Sequence, residues 1–157
     1  MTDTQVTQRQ LDAFRRFLKL LPHGQDLTSV ILKGHLLIEE QIKQIIDERV
    51  KKPEALSDAR LTCHQAICIA EAFCPKEQYI WEPVKKLNKI RNELAHNVEP
   101  RGLDDQIDDF VSSVRWFDYP AEDRQKRVEF TLWALFEAAS SLVERPTATV
   151  LELRKGE

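Results

Sequence analysis

The chain has little glycine, four residues in 157, and seven prolines. Together these turn formers fall below the roughly 12% usual in soluble proteins. A many-stranded sandwich or barrel needs frequent punctuation, so this scarcity argues against one. Cysteine is scarce as well: Cys63, Cys68 and Cys74 are the only three. An odd number at C-x4-C-x5-C spacing suits neither a disulfide framework nor a common zinc pattern, so the three read as reduced helix residues of a cytoplasmic protein. No apolar run approaches the ~18 residues of a membrane span. The N-terminus lacks the apolar core and small-residue cleavage site of a secretion signal. No membrane partner is therefore expected. Positive charge is not in excess, with 23 Lys and Arg against 26 Asp and Glu and a net charge of −3. That excludes nucleic-acid binding by overall charge, though not a local basic site. There is no Gly-rich phosphate loop and no G-x-S-x-G nucleophile elbow.

What is present is helical periodicity. Hydrophobic residues at 42% and charged residues at 31% suit one globular domain with a real core. Leu11, Phe14, Phe17, Leu18 and Leu21 recur at helical spacing over residues 8–21, before Pro22, His23 and Gly24. A longer helix follows over about 27–50, with Pro53 marking its end. Ser57 is a plausible N-cap for a third helix running to Cys74 and stopping at Pro75. A fourth covers about 77–97, and Leu103, Ile107, Phe110 and Val114 give a fifth. Pro120 suits the first turn of a sixth, closed by Pro146. Residues 147–157, with Thr149, Val150 and Leu151, form a short arm or tail. The expected architecture is an all-α bundle of five or six helices over residues 1–146.

Function is best sought where polar residues occupy core positions. In the fourth helix, Ile80, Val84, Leu87, Leu94 and Ala95 define an apolar arc, and Arg91 falls near its middle. A guanidinium keeps its charge, so it must meet a carboxylate, carbonyls, water or an anion. Asn88, Asn92 and His96 follow at i, i+4, i+8 along the border of the arc. In the long helix, Ile31, Leu32, Ile38, Ile42, Ile45 and Ile46 define the apolar arc, with His35 at its centre and Glu39 one turn on. Glu39 either satisfies His35 or supplies the carboxylate that holds Arg91. Lys85, Lys86, Lys89 and Arg91 make the fourth helix locally basic, which suits either a groove for RNA or an ordinary solvated face. Asp104, Asp105, Asp108 and Asp109 read as a solvated helix start rather than a metal site, because no His joins them. His64 and Cys63 have no further partner at metal spacing, and His23 sits in a turn. No metal or cofactor is expected.

The string Leu87-Asn88-Lys89-Ile90-Arg91-Asn92-Glu93-Leu94-Ala95-His96 closes a helix in a small all-α chain. It resembles the R-x4–6-H signature of the HEPN superfamily (higher eukaryotes and prokaryotes nucleotide-binding), over roughly residues 27–143. The resemblance implies a HEPN-like homodimer whose two motifs face one another across a cleft. It implies a metal-independent endoribonuclease of toxin or defence type, with RNA as substrate and a neutralising antitoxin or regulatory partner. Carried over, the catalytic roles fall on Arg91, Asn92 and His96. Glu39, His35 and Asn88 would support them, and Lys85, Lys86 and Lys89 would hold RNA. Some members carry a modifiable Tyr two residues after the His. Here that position is Val98, so such regulation has no acceptor. The outline is also similar to the mannitol-repressor group of all-α bacterial proteins, which implies instead a non-catalytic regulatory or interaction protein. A third reading is nucleotide binding without cleavage.

Overall fold

A computed structural model describes residues 6–118 and 123–144. Among the described residues there are seven helices and no strand: α1 (Gln8–Leu20), α2 (Leu27–Asp47), α3 (Pro53–Ala59), α4 (Cys63–Phe73), α5 (Gln78–His96), α6 (Leu103–Ser113) and α7 (Arg124–Val143). Helix α2 lies at the centre. It packs against α7, α4, α5 and α1, while α6 rests on α5 and α7. The expected arc of α2 is the one used. Ile31, Ile38, Ile42, Ile45 and Ile46 are all buried, and Leu32 is half-buried. Gly34 lets α2 approach α7: a Cβ built there would stand 2.7 Å from Leu132 Cδ1.

Local chemistry sets most of the helix ends. Thr7 begins α1 with a capping box, its hydroxyl accepting from the Gln10 N–H and the Gln10 side chain accepting from its own N–H. Asp26 and Asp123 cap α2 and α7 through their carboxylates. Pro83 lies inside α5, buried, and removes one helical hydrogen bond without ending the helix.

Three expectations are corrected. The single helix expected from Ser57 to Cys74 is two helices, which makes seven rather than five or six. Arg60 turns left-handed at φ 51°, which ends α3. Thr62, not Ser57, caps the next helix, in a box with Gln65. Pro53 opens α3 at its first turn, where a missing N–H costs nothing, rather than closing α2. The apolar arcs of α1 and α5 are narrower than expected. Leu11 and Leu18 are exposed, Leu94 is half-buried against the core and Ala95 is exposed. Pro120, Pro146 and the arm at 147–157 lie outside the described residues.

Ion pairs account for the acidic run at 104–109. Arg124 reaches Asp104 at 2.9 Å and Asp108 at 3.0 Å, and Lys86 reaches Asp109 at 2.8 Å. These pairs tie α6 to α7 and to α5. Two other buried polar groups, Gln41 and Ser140, both accept from the Arg9 guanidinium.

Candidate functional site

The buried polar cluster is built by three helices. Helix α2 contributes His35 and Glu39, α4 contributes Cys63 at its first turn, and α5 contributes Asn88 and Arg91. His35 is only 3% exposed, and Asn88 is buried beside it. The Nε2–H of His35 donates to Asn88 Oδ1 at 3.2 Å. That bond fixes the tautomer with its lone pair on Nδ1. Cys63 Sγ lies 3.5 Å from the same Nε2. The other ring nitrogen, Nδ1, faces Glu39 Oε2 at 3.8 Å, too far for a hydrogen bond, and is buried with no hydrogen-bond partner. The other carboxylate oxygen of Glu39 is held by Lys43 Nζ at 3.0 Å.

Burial shapes the protonation of this cluster. It pushes the His35 imidazole below its ordinary value, against the opposing pull of the Glu39 charge, while the charges of Arg91 and Lys43 add to the lowering. Burial pushes the Cys63 thiol up to about 11, with Glu39 acting in the same direction and Arg91 and Lys43 opposing it. At neutral pH the imidazole is therefore neutral and the cysteine is a thiol.

Neither partnership expected of Glu39 is made as a bond: its carboxylate faces His35 without satisfying it, and Lys43, one turn on along the same helix, holds its other oxygen. The expected ion pair between Glu39 and Arg91 is not among the contacts formed. Arg91 Nη1 donates instead to Asn92 Oδ1 at 3.0 Å. Arg91 is half-buried, and its charge acts on both His35 and Cys63. Asn92 is exposed.

His96 is the last residue of α5, is exposed, and makes no hydrogen bond among the described residues. Five residues of helix separate it from Arg91, about 140° around the axis and about 7.5 Å along it. One copy of the chain thus presents Arg91 towards the buried cluster and His96 at the helix end. The basic face is partly neutralised. Lys85 pairs with Glu71 at 2.5 Å, and Lys86 pairs with Asp109 and Glu82. Lys89 is exposed.

Sequence reading missed Cys63 and Lys43 as members of the cluster. Lys43 stands at i+4 from Glu39, a legible helix pair. Cys63 follows the Thr62 and Gln65 capping box, which places it at a helix start. Nothing local shows that this helix start meets α2.

No protein-family model, curated protein or solved structure matches the chain.

Proposed function

We propose that the chain is a metal-independent endoribonuclease that works as a pair, with Arg91, Asn92 and His96 of each copy facing one phosphate. The observation that carries this is the end of α5. There the half-buried Arg91 is held by Asn92, and an exposed His96 with no partner among the described residues closes the helix. In this reading the RNA 2′-hydroxyl attacks its neighbouring phosphate. One His96 takes the hydroxyl proton and the other protonates the leaving 5′-oxygen. The products are a 2′,3′-cyclic phosphate and a free 5′-hydroxyl. Arg91 stabilises the charge that develops on the phosphorane oxygens. Asn92 fixes the guanidinium and meets a phosphate oxygen. Lys89 is the basic residue best placed to meet the RNA backbone, since Lys85 and Lys86 must first exchange their carboxylates. An antitoxin or other regulatory partner belongs to the same reading.

The test is cleavage of mixed RNA by purified protein in EDTA. His96→Ala is expected to lower the rate at least a hundredfold with the fold intact by circular dichroism. An inactive parent, or a variant that cleaves like the parent, overturns the proposal.

A non-catalytic regulatory role is the second reading. It is favoured by the position of Arg91, whose charge acts on the buried His35 and Cys63. It gains if Arg91→Ala lowers the melting temperature and the parent cleaves nothing.

A further inference from the structure

We propose that His35, Glu39 and Cys63 form a binding site for a divalent, thiophilic cation of the zinc class, joining α2 to α4. One ligand atom from each of the three lies within 4.8 Å of the others. Cys63 Sγ rests 3.5 Å from Nε2, so its side chain must swing towards Nδ1 as the ion enters. The second, independent observation is the orphaned Nδ1 of His35. A buried ring nitrogen without a hydrogen bond is costly, and it needs a partner. The nearest acceptor cannot be that partner by hydrogen bonding. Glu39 Oε2 stands 3.8 Å away, and a lone pair facing a carboxylate is repulsive unless a proton or a cation lies between them. With zinc bonds of about 2.0–2.1 Å to nitrogen and oxygen, a tetrahedral ion spaces those two atoms about 3.4 Å apart. The observed gap is close to that edge and wider than a hydrogen bond.

The surrounding groups are arranged as those around a metal ligand are. Histidine ligands donate their other ring N–H to an oxygen that fixes the tautomer. Here Asn88 Oδ1 accepts from Nε2–H and leaves Nδ1 free. Ligating carboxylates are themselves oriented by a hydrogen bond. Here Lys43 holds Oε1, and Oε2 turns towards the ring. The thiol gives up its proton on binding, and the thiolate and carboxylate together balance the double charge of the ion. A sulfur and an imidazole nitrogen select zinc-like ions over magnesium or calcium. The site stands apart from the RNA-cleaving reading. Its role is to clamp helices, and cleavage in EDTA neither requires nor excludes it.

The probe is Co(II), added to the full chain under reducing conditions without RNA. One equivalent is expected to give a sulfur-to-cobalt charge-transfer band with tetrahedral d–d bands, to release a proton and to be displaced by Zn(II). Cys63→Ser should abolish the charge-transfer band, and Glu39→Gln should weaken binding at least tenfold while circular dichroism stays unchanged. Asn88→Ala should weaken it roughly 10–100-fold, as losses of outer-shell partners do. Zn(II) should raise the melting temperature of the parent and not of Cys63→Ser. A folded parent that shows no charge-transfer band at saturating Co(II) overturns the proposal. So does a band that survives Cys63→Ser and disappears in Cys68→Ser. That result places the metal on the exposed His64 and Cys68, whose Nε2 and Sγ are 3.6 Å apart.

Discussion

Among single residues, Gly34 shows best how tightly the core is specified. A methyl group there gains helix propensity of about 1 kcal/mol over glycine. It must also push Leu132, a fully buried side chain, from a 2.7 Å contact. Overpacking in a full core costs about 1–3 kcal/mol, so crowding wins. Gly34→Ala is expected to lower the urea midpoint with an unchanged slope. A midpoint at or above that of the parent contradicts the packing argument. The neighbouring His35 was legible as a misfit because a polar group on an isoleucine-rich arc demands an explanation. Glu39 was legible as its neighbour because i, i+4 residues face one another, though the two do not bond. Cys63 was not legible as the third member. It is 28 positions from His35 in sequence, and its approach depends on the turn at Arg60, a residue with none of glycine's tolerance for positive φ. Arg91 was legible as an anomaly, but its partner was misjudged, since Lys43 occupies the carboxylate that Arg91 was expected to take.

Between elements, the first turn of the chain and α7 are joined by one carboxylate. Glu129 accepts from the Gly24 N–H at 2.9 Å, faces His23 Nδ1 at 3.3 Å and is also bonded by Gln125. Burial works to raise its titration, but these hydrogen bonds and the His23 charge outweigh burial and hold it below the ordinary glutamate value. A depressed acid stabilises the fold fully above its unfolded value of about 4.3, and that contribution fades as pH falls through the lower native value. Glu129→Gln should therefore lose stability at pH 7 and show a shallower loss between about pH 5 and 3 than the parent. Parallel acid-unfolding curves for the two proteins rule this out. Element boundaries were readable where capping chemistry or proline was unambiguous, as at Leu21 before Pro22. The junction between α3 and α4 was misread because Ser57 looks like a cap. The stronger signal was Thr62 with Gln65, a reciprocal box directly before an apolar run.

For the whole molecule the open quantity is the number of copies. A chain of 18.3 kDa carries one Arg91 and one His96, on different faces of α5. In the proposed reading, where one His96 is the base and another the acid, cleavage requires two chains. Sedimentation is expected to give a dimer, and dilution to monomer should abolish RNA cleavage. Activity that stays constant per chain through dissociation removes the paired site. Among the described residues no helix is long and apolar enough to cross a membrane. Of the exposed apolar side chains, Val6, Leu11, Tyr79 and Trp116 gather at one groove. Tyr79 and Trp116 meet edge to face at 5.3 Å beside a groove of about 450 Å³ that also includes Phe14 and Trp133. None of Arg91, Asn92 and His96 lines that groove. Crosslinks from the end of α5 thus distinguish a pairing through the motif from one through the aromatic groove.

The central place of α2 also has a consequence for synthesis. Its main partner, α7, begins at Arg124, long after α2 ends at Asp47. At bacterial or eukaryotic translation speeds, the wait between the two is roughly 4–15 s. During that interval the isoleucine stripe of α2 has only part of its cover. A nascent chain stalled before α7 therefore offers a chaperone a defined apolar target, and the native core closes only after α7 leaves the ribosome.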